Sequence, residues 1–114
     1  MREIRKFTEW LGADTPKVCK LFLCNASHMK AFDGRLREFP VPAYYVDKEI
    51  YVCYKYKRMK TILISIAHEY KHFLQELKHG VKLSKVYRAF SACLNMEFQA
   101  DMYAGKKVKR FLSK

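Results

Sequence analysis

The chain has no long hydrophobic run. Uncharged apolar stretches such as Thr61–Ala67 fall far short of the ~20 residues that a membrane-crossing helix needs. The N-terminus, Met1-Arg2-Glu3-Ile4-Arg5-Lys6, is charged, and neither an apolar run nor a small-residue cleavage site follows it. That predicts no signal peptide and a cytoplasmic protein, in a cell or in a virus-infected host. No internal repeat, low-complexity segment or linker divides the 114 residues, which predicts a single domain over 1–114. The four cysteines (Cys19, Cys24, Cys53, Cys93) include no CxxC pair. Their spacings fit no common zinc pattern, and they read as reduced, mostly buried small apolar groups.

Acid is the scarcest commodity relative to its opposite. Eleven Asp and Glu face 23 Lys and Arg, a net charge of +12. An excess of this size attracts polyanions, whether nucleic acid, an acidic protein or an anionic lipid surface; it also serves simply to keep a surface solvated. What the chain does have is apolar material. Half its residues are hydrophobic and 15% aromatic, enough for a real core.

The order of elements follows from periodicity. Glu3–Leu11 places Ile4, Phe7, Trp10 and Leu11 on one side of a short helix, ended by Gly12 and Pro16. Val18–Cys24 reads as a strand, Asn25–Gly34 as a loop, and Arg35–Phe39 as β-prone. In Ala43–Tyr56, Asp47-Lys48 suits a hairpin tip between Tyr44–Val46 and Ile50–Tyr54. From about Met59, apolar residues recur at helical spacing as far as Leu77, with Gly80 placed just beyond the helix end. Ser84 can cap a second long helix carrying Val86, Phe90, Cys93, Leu94, Phe98 and Met102. Gly105 is expected to kink or end it before the basic tail Lys106–Lys114. The expected fold class is α+β: an N-terminal helix, a small antiparallel sheet and two long helices.

His68-Glu69-Tyr70-Lys71-His72 falls inside the first long helix and fits HExxH. Four residues on a helix turn through about 400°, so His68 and His72 point the same way, about 6 Å apart along the axis. Two imidazoles so related can share one zinc ion. Glu69, turned about 100° from His68, lies where its carboxylate can reach a water held by that ion. The duller alternative is an exposed helix with idle histidines.

A catalytic zinc site wants a third protein ligand. Glu97-Phe98-Gln99-Ala100-Asp101 begins 25 residues after His72, and Glu97 and Asp101 share one face of the second helix. They sit in an apolar segment, where buried carboxylates are costly unless paired or bound to a metal. Glu97 as third ligand supplies a reason. Asp101 can then accept the N–H of a ligand histidine and fix its tautomer. Ala100 is small enough to let the two helices approach.

Taken together, His68-Glu69-x-x-His72 and Glu97-x-x-Ala100-Asp101 resemble the HExxH…ExxA(D/N) arrangement of gluzincin-type metallopeptidases. The short spacing is most similar to the ImmA/IrrE-type family of bacterial and phage regulatory metallopeptidases. The resemblance covers roughly residues 44–105. It implies a minimal zincin domain, with a small sheet beside the active-site helix. It also implies His68, His72 and Glu97 as ligands to one Zn2+ per chain and Glu69 as general base. This chain differs in having Gln99 at the second acidic place, Lys71 before the second histidine, and Gln75-Glu76 where a further histidine often stands.

Other residues carry less. His79 lies about 10 Å along the axis from the histidine pair and reads as a cation at a helix C-terminus. His28, in the expected loop, reads as a surface residue, and Tyr103 as packing. Lys55, Lys57, Arg58 and Lys60 interleave with Tyr51, Tyr54 and Tyr56. That mix suits contact with nucleic acid or an acidic partner; it equally suits an edge strand guarded by lysines. Lys82–Arg88 and Lys106–Arg110 are further basic stretches.

The function expected is a small zinc-dependent metallopeptidase that hydrolyses peptide bonds of an intracellular protein target, the basic surface favouring an acidic one. The alternative is a basic nucleic-acid-binding or interaction module whose zinc site is structural or vestigial. The oligomeric state is left open by the sequence.

Overall fold

The computed structural model describes residues 2–12, 19–32, 38–80 and 90–113. Three helices and five strands are present among them: α1 (Arg2–Gly12), β1 (Lys20–Cys24), β2 (Met29–Phe32), β3 (Glu38–Val41), β4 (Ala43–Val46), β5 (Glu49–Cys53), α2 (Met59–His79) and α3 (Phe90–Leu112). The class is α+β, in the expected order.

The hairpin forms where the sequence places it. Asp47 and Lys48 both take positive φ, 50° and 66°, the tight turn whose twist matches that of the flanking strands. Lysine is poorly suited to that conformation, and the turn is held from outside. The Tyr45 hydroxyl accepts the Lys48 N–H at 3.1 Å and donates to Glu76 Oε2 of α2 at 2.7 Å.

The sheet is mixed rather than wholly antiparallel. β4 pairs antiparallel with β5, but β1 runs parallel to β5, in register from Lys20↔Glu49 to Cys24↔Cys53. The strand order is β1-β5-β4. A second departure lies in the expected Asn25–Gly34 loop, where Met29–Phe32 forms β2. It pairs antiparallel with β3, Met29↔Val41 through Phe32↔Glu38. Met29-Lys30-Ala31-Phe32 contains no β-branched residue and only Phe32 favours a strand, so intrinsic propensity is weak and the partner strand decides. Of the β-prone Arg35–Phe39, residues 38–39 lie in β3 and 35–37 lie outside the described residues.

α2 is central to the core. Leu63, Ile66, Ala67, Tyr70 and Phe73 are buried together with Ala43, Tyr45, Ile50 and Val52 of the sheet. The same cluster takes in Ile4, Phe7 and Leu11 of α1, and Met96, Ala104 and Val108 of α3. Ala100 and Ala104 are fully buried, and such small side chains let α3 lie close along α2. Gly80 ends α2 in the left-handed conformation at φ 69°, its N–H donating to the Glu76 carbonyl at 2.8 Å. The Ser84 cap lies outside the described residues.

α3 does not stop or bend into a tail at Gly105; it continues to Leu112. Glycine costs a helix interior about 1 kcal/mol relative to alanine. Burying one valine recovers about 1.5–3 kcal/mol, and Val108 is buried one turn further on. Phe111 adds an edge-to-face contact with Phe7, centroids 5.0 Å apart. The apolar stripe therefore outweighs the glycine, and Lys106, Lys109 and Arg110 are the exposed face of a helix.

Candidate metal centre

His68 and His72 stand one turn apart on α2, their ring centroids 4.9 Å apart. α3 crosses beside them and brings up Glu97. One of its carboxylate oxygens lies 2.9 Å from His68 Nε2 and the other 3.2 Å from His72 Nε2. Asp101, one turn along α3, accepts from His68 Nδ1 at 2.8 Å. Glu69 is buried beneath, and ligand atoms of His68, Glu69 and His72 lie within 4.8 Å of one another. This group can hold a metal ion. The sequence-predicted residues His68, Glu69, His72, Glu97 and Asp101 are thus brought together.

The remaining nitrogen, His72 Nδ1, meets Gln75 Oε1 at 2.9 Å, while Gln75 Nε2 donates to the Met96 carbonyl at 3.0 Å and to Gln99 Oε1 at 3.3 Å. A backbone carbonyl only accepts, so the amide of Gln75 must turn its NH2 to Met96 and its oxygen to His72. His72 Nδ1 is therefore protonated. Asp101, as a carboxylate, imposes the same on His68 Nδ1. Both imidazoles then turn Nε2 towards Glu97, whose oxygens also only accept. Each Nε2···O contact needs a cation between its lone pairs: a proton on each ring, or one metal ion shared by both. The donor set, two imidazoles and a carboxylate, suits zinc.

The electrostatics agree. Burial by itself depresses the pKa of both histidines. For His68 it is outweighed by the Glu97 hydrogen bond and the charges of Glu69, Glu97 and Asp101, and the pKa rises. For His72 the same outcome follows from Glu97, Glu69 and Gln75. Glu97 is held well below the usual carboxylate range: burial pushes it up, but the hydrogen bonds and charges of the two histidines win. Glu69 goes the other way, raised by burial against the opposing pull of His72 and His68.

One premise is corrected. Glu97 and Asp101 are not sunk in an apolar segment; their side chains are 43% and 73% exposed. They form the rim of the centre, and Glu69 is the carboxylate inside it. Sequence reasoning also missed Gln75 as a functional residue, although it follows His72 at helical i,i+3 spacing and is the one uncharged polar residue between Phe73 and Leu77.

Lys71 lies over the Tyr103 ring at 5.3 Å, and Lys107 lies over both Tyr103 and Trp10. Tyr103 packs against the core cluster. His28 is exposed beside Ser27 Oγ, 3.1 Å away, and the His79 side chain lies outside the described residues. Lys55, Arg58 and Lys60 are exposed. Lys57 is not a free surface cation, because its ammonium is enclosed and has no hydrogen-bond partner. Cys19, Cys24 and Cys53 are free thiols. Cys53 is fully buried, and burial, helped by the charge of Glu76, pushes the Cys19 thiol up to about 12. No described helix is long and apolar enough to cross a membrane.

No family model, curated protein or solved structure matches this chain.

Proposed function

We propose that the chain is a zinc-dependent hydrolase of the metallopeptidase type, cleaving peptide bonds of a protein substrate at the centre between α2 and α3. The observation that carries the reading is the convergence of His68 Nε2 and His72 Nε2 on the two oxygens of Glu97, with both Nδ1 atoms already committed as donors.

His68, His72 and Glu97 would hold the ion, one per chain. When bound, it supplies Lewis acidity, lowering the pKa of a water towards ~7 and polarising the scissile carbonyl. Asp101 and Gln75 hold the imidazoles in the tautomer that leaves Nε2 facing the ion. Glu69 takes the proton of the attacking water and delivers it to the departing amine. Its burial supports that role, because a carboxylate with raised pKa is a stronger base than an exposed one. A purely structural site would have no use for a buried carboxylate there. The net charge of +12 favours acidic targets.

Metal analysis of the purified chain tests the first part: about one zinc per chain in the wild type and in Glu69→Gln, and none in Glu97→Ala. Incubation with a quenched-fluorescence peptide library tests the second. Cleavage by the wild type and at least ~100-fold less by Glu69→Gln is expected; equal turnover by the two removes Glu69 from the mechanism.

A further inference from the structure

The side of the sheet turned away from the helices is not a blank solvent face. Register partners share a face of a sheet, so one row across β1, β5 and β4 reads Phe22–Tyr51–Tyr44. None of the three belongs to the core cluster or packs against it, whereas on the opposite face Ile50 and Val52 belong to it and Leu21 and Leu23 pack against it. Phe22 and Tyr51 are stacked, centroids 5.0 Å apart and planes within 14° of parallel. Phe22 stands on the edge strand and is 40% exposed, so the stack ends in open solvent.

Cations bracket this row. Lys20 stands one pleat away on the same face, opposite Glu49, and Lys48 lies beside it through the backbone contact Lys20 N–H to Lys48 O at 3.0 Å. Beyond the other end of β5, the exposed Lys55 covers the exposed Tyr56 ring at 5.2 Å. Among the described residues of β1, β4 and β5, Glu49 is the acid on this face, and it accepts a hydrogen bond from the Tyr51 hydroxyl at 3.2 Å.

We propose that this face binds single-stranded nucleic acid, a base extending the Tyr51–Phe22 stack at its open end while Lys20, Lys48 and Lys55 meet backbone phosphates. Charge complementarity selects a polyanion. Among polyanions the stack selects one that carries a free π-face on each charged unit, which a duplex keeps inside and acidic side chains lack. The face lies on the other side of the sheet from the metal centre, so the binding does not depend on the hydrolase reading.

Fluorescence anisotropy with a labelled 20-nucleotide oligo-dT, on the full chain over a salt series, tests it. Phe22→Leu should weaken binding at least about fivefold, the lower end of one base stack, with the salt slope unchanged. Phe22→Trp should bind like the wild type, which shows that the fold tolerates the position. Lys20→Gln should lower the slope of log K against log salt by about 0.7, one phosphate contact on a single strand. Glu97→Ala should bind oligo-dT normally even if it has lost its zinc. Failure of the wild type to bind, unchanged affinity in Phe22→Leu, or equal competition by a DNA duplex or by polyglutamate would each overturn the proposal.

Discussion

The seam between α2 and α3 is closed in two different ways along its length. Towards the start of α2 it is dry: Ile62, Leu63 and Ile66 are buried in one cluster with Ala104 and Val108. A turn further on it is wet and charged, where His68, His72, Gln75, Glu97 and Asp101 face one another through directed hydrogen bonds. The dry half is satisfied as it stands. The wet half is not, because its lone pairs meet unless a proton or a metal ion intervenes. One helix pair therefore carries both the scaffold and the incomplete part that asks for a ligand.

The largest effect expected comes from breaking the dry half. Leu63→Ala should cost about 2–5 kcal/mol of unfolding free energy in urea, while zinc affinity in the folded fraction stays the same. Next comes the wet half. Gln75→Leu removes the acceptor at His72 Nδ1 and the side-chain donor to the Met96 carbonyl, and zinc affinity should fall about 10–100-fold, read by competition with a chromophoric chelator. A loss of stability with unchanged affinity would make Gln75 mere packing.

Proton and metal can also be set against each other. With His68 and His72 raised above the ordinary 6.5, the folded metal-free chain binds more protons than the unfolded chain. Their contribution is full below about pH 6.5 and is lost as pH rises through the raised values. Zinc needs neutral imidazoles, so its affinity rises over the same interval. Melting temperature should thus fall with pH in chelator and gain most from zinc at the alkaline end. Parallel curves would mean that the histidines do not share one cation.

The smallest effect expected is Gly105→Ala. A Cβ there meets nothing within 4 Å, and the exchange should stabilise the chain by about 0.5–1 kcal/mol without touching zinc affinity.

Why the candidate centre was more legible than the sheet follows from the range of the forces involved. His68, Glu69 and His72 are placed by helical pitch alone, and Glu97 and Asp101 by the pitch of a second helix, so spacing carries their geometry. β1 is different. Its parallel partner is 29 residues away (Lys20 to Glu49), and nothing local in K-L-F-L-C distinguishes that pairing from an antiparallel one. β2 was hidden for a similar reason, since its pairing with β3 rather than its own residues makes it a strand. Gln75 stayed unread because its role depends on the Met96 carbonyl, a group with no signature in sequence. The exposure of Glu97 was misjudged because apolar neighbours such as Phe98 and Met102 are themselves exposed.

The contact between Phe7 and Phe111 has a consequence in time rather than in space. It closes a loop of 104 residues (111 − 7), whereas His68 and Glu97 close one of 29 (97 − 68). On chain entropy alone the longer closure costs about 1 kcal/mol more, well below the ~3–5 kcal/mol at stake in a buried phenylalanine. The ends of the described chain therefore do meet, but the helix pair bearing the histidines is free to form first. The contact lets α1 latch the far end of α3 onto the core, beside the helix pair that brings His68, His72 and Glu97 together.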